Sequence, residues 1–425
     1  MESTVNSAIN TVKSVGLKYK SDAKYECCPD IKCSKFTLLM FLVAHYKQIP
    51  DALFKIKAVL NNSKTKINAQ NKLGWTALMI ASRNSSTRCD NEIVELLLEY
   101  GANPDKQNVD GDTALILSCQ YSQTDSSIKT VDLLLNYGAG VNITDNNGWS
   151  PLITTVNFNN TTSDINVIDL LIKYGANINA ITNKKSSAIM IVARHINDNI
   201  QVIKKLLKYG PNLNVTSPKG WTCLMLAIHN TKTDESVDII QELLNHGADP
   251  NVCTYSGKSC LMIAFDNDEN TKIMKLLINA GAKVNHLYRD NDECDYIFKL
   301  YKEINFNYNF RLKFDYDAII NHEYNGHTVL MRAVLDADDD NCETVKMLLS
   351  NGVDPNFSNN YGITALILAI MKRKISLNVI QLLLGYDKIN PNCFDKYGNT
   401  PLSIAMTLYP KKCNLEVIET LLKFG

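Results

Sequence analysis

The sequence predicts an all-α repeat solenoid, a stack of short antiparallel helix pairs, and three observations carry that reading. First, one string recurs. It reads GWTALMIA from Gly74, GDTALILS from Gly111, GWSPLITT from Gly148, GWTCLMLA from Gly220, GKSCLMIA from Gly257, GHTVLMRA from Gly326, GITALILA from Gly362 and GNTPLSIA from Gly398. KSSAIMIV holds the same register from Lys185, with the glycine lost. The steps are 37, 37, 37, 35, 37, 69, 36 and 36 residues, and periods of about 20–50 residues mark stacked repeats. Second, a longer block follows in each period, such as IVELLLEYGANPD from Ile93 and DIIQELLNHGADPN from Asp238. Its apolar residues recur at helical spacing. Third, a glycine closes each such block, as Gly101, Gly138 and Gly247 do, and turn formers come next.

Taken in order, the chain opens with a polar leader, 1–34, expected to be partly disordered. It lacks the apolar core of a signal peptide. FTLLMFLVA, from Phe36 to Ala44, falls short of the roughly 18 residues that span a membrane. Residues 35–287 hold units 1–7. Unit 1, about 35–70, is degenerate: Thr37, Leu39 and Met40 fit and the glycine is absent, so it reads as the cap that an open solenoid end needs. Polar segments such as NSSTRCDN from Asn84 and YSQTDSSI from Tyr121 lie between the two helices and read as loops. The step of 69 reads as two units with a blurred one inside. That unit 8, residues 288–322, has no G-x-T-x-L string and is crowded with aromatics, Tyr296, Phe298, Tyr301, Phe306, Tyr308 and Phe310 among them. It reads as an eroded repeat refilled with aromatics; a bend or an aromatic docking patch are the functional alternatives. Residues 323–425 hold units 9–11. At roughly 10 Å per layer, eleven units make a curved rod about 110 Å long.

Composition and motifs exclude most chemistry. With 44 basic and 44 acidic side chains the formal charge is zero, which leaves no electrostatic case for nucleic acid. Twelve cysteines in 425 residues do not form a disulfide scaffold, so a reducing intracellular compartment, the cytoplasm first, is expected. No histidine pair has metal-ligand spacing, no phosphate-binding glycine loop is present, and no G-x-S-x-G elbow occurs. Cys27, Cys28 and Cys33 cluster before unit 1, yet their spacing is not that of a zinc site, even with His45 as a fourth ligand. No cofactor, metal or membrane contact is expected. Cys119, Cys223 and Cys260 fall at helix positions facing neighbours and read as small buried hydrophobes. Asp336, Asp338, Asp339 and Asp340 lie one period before Lys372, Arg373 and Lys374. Neighbouring layers would neutralise them as exposed pairs, worth about 0–1 kcal/mol each.

The G-x-T-[PA]-L start, the paired leucines and the G-A-x-[VP]-N finger resemble the ankyrin repeat over about residues 35–425. The resemblance implies helix pairs with β-hairpin fingers projecting at roughly a right angle. The Asn-, Ile- and Lys-rich dialect, with TALM for TPLH, is similar to that of ankyrin proteins of giant DNA viruses. Methionine (Met79, Met190, Met225, Met262, Met331) replaces the family's histidine, exchanging a hydrogen-bond network for adaptable packing. The resemblance implies a non-catalytic scaffold, monomeric, binding a protein on its concave finger and first-helix face, a host protein in the host cytoplasm if the chain is viral. A ubiquitin-ligase adaptor is the second reading and an enzyme a distant third. Partner-binding residues implied by their positions are Trp75, Asp112, Trp149, Trp221 and Lys258, each directly after a finger glycine, and the finger-tip residues Tyr255, Tyr324, Tyr361 and Tyr397.

Overall fold

The computed structural model describes the backbone of 25–28 and 31–33, and residues 36–267, 271–284, 326–339, 341–372, 374–409, 413 and 415–425. They fall into two compact units, 1–215 and 216–425, each taken by itself. The first holds five helix pairs: α1 Leu38–Ala44 with α2 Ala52–Leu60, α3 Ala77–Arg83 with α4 Asn91–Glu99, α5 Ala114–Gln120 with α6 Ile128–Asn136, α7 Pro151–Phe158 with α8 Asn166–Lys173, and α9 Ala188–Ala193 with α10 Ile200–Leu207. First helices stack on first helices, α1 on α3 on α5 on α7 on α9. The second compact unit holds α11 Cys223–Asn230 with α12 Asp234–Asn245, α13 Cys260–Asp266 with α14 Thr271–Asn279, α15 Val329–Asp336 with α16 Glu343–Ser350, α17 Ala365–Met371 with α18 Leu377–Leu384, and α19 Pro401–Leu408 with α20 Leu415–Phe424. There α11 packs on α13, α13 on α15, α15 on α17 and α17 on α19. Unit 8, residues 288–322, lies outside the described residues.

The threonine or serine of the recurring string starts each first helix. Thr113 is in extended backbone and its hydroxyl accepts the Ile116 amide at 3.2 Å. Thr76, Ser150, Thr222, Ser259, Thr328, Thr364 and Thr400 do the same. Such a cap is worth about 1 kcal/mol. Unit 1 has the same device, Thr37 accepting from Met40. Met79 and Met331 do more than pack: each sulfur accepts the amide of its capping threonine at 3.4 Å, closing the first turn from the other side.

Six of the second helices end by a common rule. After α4, the Ala102 amide reaches back to the Leu97 carbonyl and the Gly101 amide to Leu98. That is a Schellman closure, which places Gly101 at φ 81°. On the face toward the first helices, Ile93, Val94 and Leu97 are fully buried. Tyrosines before these glycines reach back one layer, as the Tyr209 hydroxyl does to Asp169 at 2.6 Å.

The fingers are closed turns more than hairpins. Within them only Ile181 with Ser187 and Cys253 with Ser259 form bridges among the described residues. Elsewhere a side chain closes the turn: Asn71 Oδ1 accepts the amides of Leu73 and Trp75, both at 2.9 Å. Successive fingers come very close. A Cβ on Gly111 would lie 2.5 Å from the Asn146 nitrogen, so glycine is required twice over there, for space and for φ 87°. Where the glycine is lost, Lys185 still adopts φ 53°. Finger asparagines join the layers. Asn142 Nδ2 donates to the Gly175 carbonyl at 3.0 Å and its Oδ1 accepts the Asn177 amide at 2.8 Å. Asn68, Asn251 and Asn356 repeat this with the layer that follows each. The one sheet among the described residues is an antiparallel hairpin, β1 Tyr25–Cys28 with β2 Ile31–Cys33, and β1 lies beside α1 and α3.

Two expectations about side chains have different outcomes. Cys119 and Cys223 are buried, which pushes both thiols up to about 12, and burial raises Cys260 as well. The charged loops of units 9 and 10 do meet, but not as exposed ion pairs. Lys372 is buried, and its ammonium donates to the Val334 carbonyl at 3.1 Å and to that of Ala337, at the end of α15. Asp339 accepts from Ser376 at 2.6 Å and from the Asn378 amide. The lysine stem is long enough to carry its charge into the neighbouring helix end, where carbonyls lack donors. Arg373 and Asp340 lie outside the described residues.

Candidate functional site

The residue after each finger turn leads into the first helix, and in four layers its side chain meets the far end of that same helix. In the first compact unit the Trp149 ring lies 6.4 Å from Phe158, and Arg194 donates to Ser186 at 3.4 Å. In the second, Trp221 lies edge-on to His229 at 5.6 Å, and Lys258 Nζ bonds Asp266 at 2.9 Å. In each compact unit these are pairs drawn from one helix, following the finger turn that precedes it.

The proposed residues are not equivalent. Trp75 is 3% exposed, so its side chain offers a partner almost no area. Trp149 and Trp221 are half-buried. Asp112 is half-buried and bonded to Asn108 at 3.2 Å; burial raises its pKa, and Asp145 and Asp110 add to that. Tyr255 is 66% exposed on its finger. Tyr361 and Tyr397 are brought together through Lys396, whose ammonium lies 4.1 Å above the first ring and 5.0 Å above the second. Phe394, on the same finger as Tyr397, is 69% exposed. Tyr324 lies outside the described residues.

Lys258 belongs to a larger cluster. Arg332 of α15 reaches Asp266 of α13 at 3.4 Å and sits over the Phe265 ring at 6.0 Å. His327, in the register of the tryptophans, is buried beside them. Burial, then the Arg332 charge, lowers its pKa to about 4, so it is neutral at pH 7. These side chains line a shallow cleft with Met262 and Val329. Reading the sequence missed Phe158, His229, Asp266, Arg332, Phe394 and Lys396. Arg332 had a signal: its register holds Ile80, Leu117, Ile263 and Leu368 in other units. Phe158, His229 and Asp266 follow only from the helix-end contact, and Phe394 and Lys396 only from the placement of the fingers. Among the described residues no His, Cys, Asp and Glu cluster is placed to hold a metal, and the arrangement offers contact area and hydrogen bonds.

Comparison with known proteins agrees with this architecture. The family model described as ankyrin repeats (three copies) matches residues 7–108, 39–145, 85–182, 124–217, 189–287 and 330–425. Two ankyrin repeat proteins of Acanthamoeba polyphaga mimivirus are 42% and 43% identical to this chain over 94 and 93 residues. Each match covers 21% of this chain, and 15% and 17% of the relatives, so it spans about a sixth of their length. The crystal structure of the ankyrin repeat domain of Bcl-3, an IkappaB-family protein, aligns with 57% of this chain and 98% of its own, at 21% identity and TM-score 0.48. No helix among the described residues is long and apolar enough to cross a membrane. With capped helix pairs, glycine-closed ends and family matches over most of its length, the chain belongs to the ankyrin-repeat family.

Proposed function

We propose that this chain is a non-catalytic scaffold that grips a partner protein through finger tips and through side chains behind the finger turns. The observation that carries this reading is the finger-tip group of Tyr361, Lys396, Tyr397 and Phe394. It leaves aromatic area open around a cation on a backbone whose turns are already closed, Asp395 Oδ1 taking the amides of Tyr397 and Asn399. Rigid aromatics lose little entropy on binding, which makes them effective contact residues. Trp149 with Phe158, and Trp221 with His229, add area of the same kind. The relatives are viral proteins, so a host regulatory protein in the host cytoplasm is the proposed partner, bound by a monomer. The test is affinity capture from host cells, followed by Trp149→Ala and Tyr397→Ala. Each should weaken a captured partner by about 2 kcal/mol, the scale of a hot spot, with an unchanged unfolding midpoint. Cullin-ligase subunits in the eluate would replace this reading with a ubiquitin-ligase adaptor. Wild-type affinity in both variants would remove the proposed face.

A further inference from the structure

We infer that three successive fingers of the first compact unit, those ending at Gly111, Gly148 and Lys185, form a charge-graded seat for an extended segment of the partner, one that carries a basic, an apolar and an acidic residue about three positions apart. The inference rests on the scaffold reading above and names the chemistry of what is bound. Two registers carry it. The residues immediately before and after the glycine position are Asp110 and Asp112 on the first finger, Asn147 and Trp149 on the second, and Lys184 and Ser186 on the third. Arg194 joins the third, donating to Ser186 at 3.4 Å, and Phe158 lies beside Trp149 on the second. The fingers therefore run from acid through aromatic to base. Asp110, Lys184, Lys185 and Arg194 are exposed, and Asp112, Trp149 and Phe158 are half-buried. Asp112 lies close enough to Asp145 and Asp110 for their charges to oppose its own. A cation arriving at that end relieves the repulsion.

The seat is assembled before anything binds. The Asn146 amide donates to the Asp110 carbonyl and the Asn183 amide to the Asn147 carbonyl, both at 3.0 Å. Asn146 Nδ2 adds a bond to the Val109 carbonyl and Asn183 Nδ2 one to the Asn146 carbonyl, both at 2.9 Å. The tip backbones are thus tied to one another, and α5, α7 and α9 stack in the same order. A surface ordered in advance loses little entropy on binding.

The spacing sets the pattern of the occupant. Helix layers lie about 10 Å apart, and an extended chain advances about 3.3 Å per residue, so one finger corresponds to about three residues. Either chain direction satisfies the pattern, provided that the two ends differ in charge. A segment with like charges at both ends meets repulsion at one of them, which is how such a surface selects.

The test uses the full-length protein and three fluorescein-labelled synthetic peptides in glycine flanks: Lys-Ser-Ser-Phe-Ser-Ser-Glu, Lys-Ser-Ser-Phe-Ser-Ser-Lys and Glu-Ser-Ser-Phe-Ser-Ser-Glu. Binding is read by fluorescence anisotropy at low salt. The mixed-charge peptide should bind about fivefold more tightly than either like-charged one, the weight of one exposed ion pair. Trp149→Ala should weaken it about tenfold or more. Lys184→Glu combined with Arg194→Glu, both at exposed positions, should move the preference to the two-lysine peptide. Equal affinity for the three peptides, whether measurable or absent, would overturn the inference. So would a preference that the combined variant leaves unchanged. The scaffold reading stands or falls separately: a host protein held through Tyr361 and Tyr397 would sustain it even where none of these peptides binds.

Discussion

Lys372→Met separates a buried cation that caps a helix from an exposed one that is merely screened. Methionine keeps most of the stem and removes the ammonium. The ammonium serves the carbonyls of Val334 and Ala337, and Asp336, Asp338 and Asp339 surround it. Burial lowers the lysine pKa while those carboxylates oppose the shift, so part of the hydrogen-bond gain is spent on desolvation. Charged hydrogen bonds contribute about 1.5–3 kcal/mol each before that offset. Two such bonds less the recovered desolvation leave a net loss of about 2 kcal/mol. Urea unfolding followed by circular dichroism, at 0.05 and 1 M NaCl, is the assay. Salt should barely change the loss, because a buried group is poorly screened. Lys374→Met, at an exposed position of the same loop, is the control and should cost under about 0.5 kcal/mol. A Lys372→Met loss below about 0.5 kcal/mol, or one that disappears at high salt, would refute the capping argument.

Other outcomes follow from equally local features. His327 titrates at about 4 in the fold against 6.5 ordinarily. Between these values the unfolded chain binds the extra proton, so stability should fall by up to about 3 kcal/mol as pH drops from 6.5 to 4; in His327→Gln that share of the acid sensitivity should vanish from urea midpoints. Trp75→Ala should cost about 3–5 kcal/mol in unfolding measurements, as loss of a buried aromatic does. Gly101→Ala, with open space around it, should cost about 1 kcal/mol for its left-handed backbone. Gly111→Ala should cost at least twice as much in the same assay, because its new methyl group meets the backbone of the next finger.

Much of the fold was legible because ankyrin layers are specified locally. The spacing of Gly74, Thr76 and Leu78, repeated downstream, names a turn, a cap and a buried side chain, and each needs only its own few neighbours. The site was less legible because exposure depends on what lies across the layer. Trp75, Trp149 and Trp221 are identical in register, yet Trp75 alone is buried. Lys372 reads as a solvated charge until a helix end one period away is placed beside it. Met79 reads as packing because a sulfur acceptor is seldom counted among helix caps. The tyrosines at 361 and 397 were visible as finger-tip residues, whereas the lysine between them gains meaning only when two successive fingers lie together.

The finger asparagines have a consequence for how such an array can change over generations. Asn68, Asn142, Asn251 and Asn356 each address only main-chain groups of the next layer, a carbonyl and an amide. A joint of that kind places no demand on the side chains of whatever follows it. A unit can be duplicated, lost or exchanged within a gene, and the new neighbour will find the same two partners waiting. Recombination between copies therefore delivers a finished joint at every crossover that keeps the period. Tip residues such as Tyr255 and Phe394 are left free to diverge, since no joint depends on them.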